Sequence, residues 1–271
     1  MFLWGVLLSG GRVGLRTVLA FLILHLLLYG GANAFNTYYD RDEGPIGGLE
    51  RPPPVRPALL SWSLGLQAVG FMLALTIGLA FAALYLVLFL LFTAYSHPAV
   101  RLKARPWISL VAISLGQGGI GFAAGWVTAA GLSRWIPAGR EDQAVWGFLS
   151  AVLIVAALYP LSQIYQVAED RGRGEETLGV VLGRTASLGV TMALLVPAIG
   201  ALLLATWGPF GIAWSSLLVT YGAGFLMLLL FSRGRLTESP PRLAYRRVMT
   251  LNYLNSTAFL LFIGLQLAGW G

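Results

Sequence analysis

Asn36, Asp40, Asp42 and Glu43 stand together at the end of a hydrophobic stretch long enough to cross a membrane, in the text NTYYDRDEG. Asn36 and Asp40 are four apart and share a face if the helix continues to Asp40. Carboxylates gathered at this spacing make oxygen sites for Mg2+, which takes one or two carboxylates and completes its shell with waters and substrate phosphates. The same residues also fit a plainer reading, a helix C-terminus followed by a solvated charged loop, although acids carry the less favourable sign at that end.

Two further segments carry polar groups. In YPLSQIYQVAEDRGRGEETLG, the residues Gln163, Gln166 and Asp170 fall at i, i+3 and i+7 on one helical stripe, and the Arg171-Gly-Arg173-Gly run then breaks the helix. A polar stripe at a membrane helix end faces a cavity or a partner helix, and helix-helix hydrogen bonding alone would account for the glutamines. In YSHPAVRLKARP, Lys103 is the only lysine of the chain and lies between Arg101 and Arg105. These cations could hold a diphosphate or anchor the chain to anionic lipid.

The elements that position these groups are membrane helices. Of 271 residues, 57% are hydrophobic and 11% charged, which excludes an ordinary soluble globule. Spanning segments must satisfy their backbone groups internally, and no short alternating strands suggest a barrel, so the spans are helices. They are expected at Leu15–Phe35, Ala58–Ile77, Leu79–Tyr95, Trp107–Ala130, Ala144–Tyr165, Ser187–Trp207, Phe210–Phe231 and Tyr245–Ala268. Phe2–Leu8 is too short to cross and reads as the tail of a first helix. The expected fold is all-α, a polytopic membrane bundle of eight full helices plus a short N-terminal fragment, in one domain over residues 1–271.

Loops 36–57, 97–106, 166–186 and 232–247 hold fourteen of the eighteen Lys and Arg and nine of the eleven acids. The positive-inside rule puts these loops in the cytoplasm, and the chain is expected in a bacterial inner or plasma membrane. A basic collar alone would not need the acids. The absence of cysteine removes thiolate chemistry and Cys-based metal sites. A transporter would place ionisable groups in mid-membrane or show inverted repeats, whereas these charges gather at one face. Nothing in the charge pattern calls for nucleic acid.

The three polar segments together resemble the UbiA superfamily of intramembrane prenyltransferases, in order, spacing and coverage of nearly the whole chain. The resemblance implies a nine-helix bundle around a lipid-open cavity in which Mg2+ bridges acidic motifs to a polyprenyl diphosphate. It implies Asn36, Asp40 and Asp170 at the metal or its shell, with Tyr95, Arg101 and Lys103 near the diphosphate. Asp40, Asp170 and Lys103 are thus the catalytic candidates, and Asn36, Tyr95, Arg101, Gln163, Gln166 and Arg171 the substrate-binding ones. The sequence departs from the family pattern at Thr37, at Gly44 or Ile46 and at Gln166, where acids are common, and Asp42, Glu43 and Glu169 stand near enough to compensate as metal ligands. The implied reaction is transfer of a polyprenyl group from an allylic diphosphate to an acceptor, often aromatic, as in quinone synthesis. The alternative is a family member that binds isoprenoid lipid with little or no turnover.

Overall fold

The computed structural model describes residues 1–41, 43–130 and 141–269. Eight helices are long and apolar enough to cross a membrane: α2 (Leu15–Asp40), α3 (Ala58–Ile77), α4 (Leu79–Ser96), α5 (Pro106–Ala130), α6 (Glu141–Gln163), α8 (Leu178–Thr206), α9 (Gly211–Phe231) and α11 (Pro241–Leu267). Short helices α1 (Phe2–Leu8), α7 (Val167–Gly172) and α10 (Arg233–Thr237) complete the set. Among the described residues the only strand-like feature is an isolated bridge between Ile46 and Leu49. The all-helical bundle expected from hydropathy is the fold observed.

The largest difference lies at α8, which begins at Leu178 and not near Ser187. Gly183 has φ 73 there, a conformation open to glycine at no steric cost, and it kinks the helix ahead of the apolar run. Arg184 on this first section donates to the carbonyls of Thr237 and Ser239, at 3.4 and 2.6 Å, tying α8 to the α10–α11 loop. A charged residue and a kink hide this turn from a hydropathy window.

Small residues set the helix spacing, as expected where lipid removes most of the hydrophobic drive for association. The α1 backbone lies directly on α5: a Cβ at Gly5 would overlap the Phe122 carbonyl oxygen, and one at Gly125 the Phe2 carbonyl oxygen. Trp4 is fully buried beside them, and its indole N–H donates to Ser150 Oγ at 3.0 Å. Large side chains such as Trp62, Leu79 and Phe231 point outward toward the lipid zone.

Two spans carry a π-helical segment, Ile23–Tyr29 in α2 and Ser114–Ile120 in α5. Such bulges cluster at functional sites because they redirect side chains within an otherwise straight helix. Here Tyr29 and Gln117 both face the central cavity. His25, inside the first bulge, bonds the Phe21 carbonyl through Nδ1 at 2.9 Å, which accounts for it within the bundle.

Candidate active site

A cavity of about 610 Å³ opens among α2, α4, α5, α6, α11 and the α7–α8 connection. Its charge is gathered at one end: Asn36 and Asp40, on the last turns of α2, stand there with Lys103, Asp170 and Glu175, whereas the rest of the lining is uncharged and includes Phe92, Ile113, Val155 and Leu158 beside Tyr29 and Gln117. The chamber therefore suits a molecule with a charged head and a hydrocarbon tail.

Asp40 is the last residue of α2, and Arg41 turns the chain away with φ 51. Arg173 donates to the Asp40 backbone carbonyl at 2.9 Å, fixing this helix end to the third polar segment. The Asp40 carboxylate pairs with the Lys103 ammonium. One turn earlier, Asn36 Oδ1 accepts from the Ser96 hydroxyl at 2.8 Å, so the Tyr95-Ser96 pair orients the first segment. Tyr95 and Tyr159 share a hydroxyl hydrogen bond at 2.9 Å, and Tyr159 donates to Ser109 Oγ at 3.1 Å.

Lys103 sits in a single 3-10 turn, Leu102–Ala104, and is 7% exposed. Arg101 starts this turn with φ 44, an unusual conformation for a residue with a side chain. The turn faces both cations to Glu175: Arg101 Nη2 is 2.5 Å from Oε1, and Lys103 Nζ is 3.5 Å from Oε2.

In the third segment, Gln163 ends α6 and its Oε1 accepts the Gly179 amide at 2.8 Å, drawing the start of α8 against the end of α6. Gln166 lines the cavity from the short connection, and α7 then carries Asp170, which is 8% exposed. The Thr177 hydroxyl donates to Asp170 Oδ2 at 2.9 Å.

Asp40, Asp170, Lys103, Asn36, Tyr95, Gln163 and Gln166 all line the one cavity. Arg101 joins them through Glu175. Other candidates lie elsewhere. Arg171 is exposed and directed to the Val180 carbonyl at 3.5 Å. Glu169 Oε1 accepts from the amides of Glu43 and Gly44, at 3.0 and 3.2 Å, and pairs with Arg173. Its carboxylate fills the space a side chain at position 44 would take. Glu43 is exposed, and Asp42 lies outside the described residues. His97 packs against Phe35 and Tyr39. Of the two asparagines of α11, Asn252 lines the cavity, while Asn255 accepts from the Tyr221 hydroxyl and joins helices.

Among the described residues no three His, Cys, Asp or Glu side chains gather as a closed cage. Two carboxylates from separate segments, lining one cavity with an amide nearby, instead fit Mg2+ in its common setting, where waters and substrate phosphates supply the other ligands. Sequence reasoning missed Glu175 and Thr177 as individual site residues. Gly174, with φ 71, was the available signal: a glycine closing a short helix throws the next residues back over it.

The chain has relatives of known family. Residues 1–267 match the UbiA prenyltransferase family. The chain is 30% identical over 235 residues to a digeranylgeranylglyceryl phosphate synthase of Methanothrix thermoacetophila, covering 83% of this chain and 80% of that protein. It is 31% identical over 237 residues to the synthase of the same name from Methanopyrus kandleri, covering 83% and 79%. The solved UbiA homolog of Archaeoglobus fulgidus bound to DMAPP and Mg2+ superposes with a TM-score of 0.72 at 18% identity, over 98% of this chain and 93% of that one. These relatives are archaeal, so a membrane setting is supported and a bacterial one is not. A helical bundle whose polar loops converge on one greasy chamber, matched along almost its full length, has a plain assignment: the chain belongs to the UbiA prenyltransferase family and is an integral membrane prenyltransferase.

Proposed function

We propose that this prenyltransferase uses Mg2+ to move a polyprenyl group from an allylic diphosphate onto a glyceryl phosphate lipid, at the cytoplasmic face of its membrane. The observation that carries the reading is that Asp40, Asp170 and Lys103 line one cavity whose lining, apart from them and Glu175, is uncharged. Cytoplasmic placement rests on the concentration of arginine in the loops at the cavity's charged end.

Asp40 and Asp170 would hold Mg2+ together with the substrate's phosphates. When bound, the ion acts as a Lewis acid that neutralises charge on the leaving diphosphate. Lys103 and Arg101 add fixed positive charge where negative charge grows as the C1–O bond of the donor breaks, the electron pair leaving with the diphosphate. Lysine serves as a point charge, and the planar guanidinium can grip two oxygens at once. The allylic cation left behind is shielded from water by the walls formed by Phe92, Ile113, Val155 and Leu158. The acceptor oxygen then bonds to C1 and loses its proton to the released diphosphate.

The acceptor class is taken from the relatives, which are synthases of a glyceryl phosphate carrying two geranylgeranyl groups. It replaces the aromatic ring suggested by the wider family as the first acceptor to test. Reconstituted protein is given labelled geranylgeranyl diphosphate, Mg2+ and either a singly prenylated glyceryl phosphate or an aromatic acid, and lipid products are identified by mass. Product from the glyceryl phosphate is expected. Product from the aromatic acid alone would overturn the acceptor, and bound but unconsumed donor in both arms would overturn the transferase reading in favour of lipid binding.

A further inference from the structure

Glu175 lies on the short connector between α7 and α8, immediately after Gly174 with its φ of 71. Its amide donates to the Asp170 carbonyl at 2.9 Å, so the backbone folds over α7 and the side chain enters the cavity. The carboxylate is 11% exposed, with one oxygen 2.5 Å from Arg101 Nη2 and the other 3.5 Å from Lys103 Nζ. Lys103 also reaches the Asp40 carboxylate. Two cations and two carboxylates thus form a formally neutral quartet at the polar end of the chamber.

We propose that Glu175 is a positioning residue, which holds the ends of Lys103 in the cavity and Arg101 beside it as a matched pair and releases them to an incoming diphosphate. The proposal rests on the prenyl diphosphate reading above. Arg and Lys have long, flexible stems, and a cation left without a partner at a cavity wall turns toward water. Arg101 is the one with the freedom to do so, since its side chain is 29% exposed against 8% for Lys103. Glu175 contacts both, so each cation is already in place when negative charge grows on the leaving diphosphate.

The test combines steady-state turnover with calorimetric binding of inorganic diphosphate and Mg2+, with kcat expressed per diphosphate-binding site so that misfolded protein drops out. Glu175→Gln should lower kcat about tenfold or more through misplaced cations, while the KM for the donor and the Kd for inorganic diphosphate stay the same or tighten, because a competing negative charge is gone. Glu175→Asp keeps the charge with a shorter reach and should fall between the variant and the wild type. Glu176→Gln, at the exposed neighbouring acid, should leave all three quantities unchanged. Glu175→Gln with kcat within about twofold of wild type would overturn the proposal, because misplacement of even about 1 Å has a larger effect. A loss carried wholly in Kd would also overturn it, as would Glu175→Asp behaving like Glu175→Gln if neither changes kcat. Wild-type protein that binds no diphosphate would sink the prenyl diphosphate reading itself, a result readable apart from any Glu175 variant.

Discussion

Thr177 serves Asp170 and α8 with one oxygen: its hydroxyl donates to Asp170 Oδ2 at 2.9 Å and accepts from the Val180 amide at 3.4 Å. The side chain that caps the helix therefore also aims the carboxylate. Coupling of this kind makes helix stability and turnover respond to the same substitution.

Thr177→Val keeps the shape and removes both bonds. Loss of the cap should cost about 1 kcal/mol, and loss of a hydrogen bond to a charged group about 1.5–3 kcal/mol of function, so kcat/KM should fall at least tenfold. Thr177→Ser retains the oxygen and should stay close to wild type. Thermal unfolding in detergent and steady-state kinetics measure the two effects separately.

The approach of α1 to α5 predicts a steric effect remote from the chemistry. Gly125→Val would push its side chain into the Phe2 backbone carbonyl and should destabilise by about 1–3 kcal/mol, the usual range for overpacking. Gly65 meets open space, so Gly65→Ala should stabilise by up to about 1 kcal/mol through helix propensity. Opposite shifts in melting temperature are expected, and a shift of the same sign in both would contradict this account of the packing.

Glu50 and Arg246 join the loop after α2 to α11 by a bidentate pair, with contacts at 2.9 and 3.1 Å. The guanidinium hydrogen bond holds the Glu50 carboxyl below its ordinary value of 4.5. A group lowered in the folded state stabilises above the unfolded value, and that contribution disappears as pH falls through the folded one. Melting curves of wild type and Glu50→Gln should therefore differ at neutral pH and converge on acidification below 4.5. Since the pair is exposed, the difference should shrink in high salt.

Hydropathy made the spans legible because lipid demands long uncharged helices, and five of the eight expected starts coincide with the observed ones or differ by one residue. The section 178–186 was not legible, since its kink at Gly183 and its charge at Arg184 both read as loop. Nor were the π segments, because a one-residue change in winding leaves no periodic trace in seven residues. At the site, Asp40, Lys103 and Asp170 stood out as charges beside apolar runs. Glu175 did not, because an acid within Glu175-Glu176 looks like solvated loop until Gly174 is seen to turn it inward. Glu169 shows the converse: adjacency to Asp170 suggested a shared metal, yet helical geometry sends neighbouring side chains to different faces, and Glu169 ties down the amides of residues 43 and 44.

The central claim is that Asp40 and Asp170, brought from separate segments to one chamber, carry the ionisation of an allylic diphosphate. Its most direct test is diphosphate release from labelled geranylgeranyl diphosphate by purified protein with Mg2+, compared among wild type, Asp40→Ala, Asp170→Ala and wild type with chelator. Release should fall by about a hundredfold or more in each variant, as when a main electrostatic stabiliser of a transition state is removed, and should vanish with chelator. Release at the wild-type rate in both variants, from protein that still binds the donor, would contradict the account.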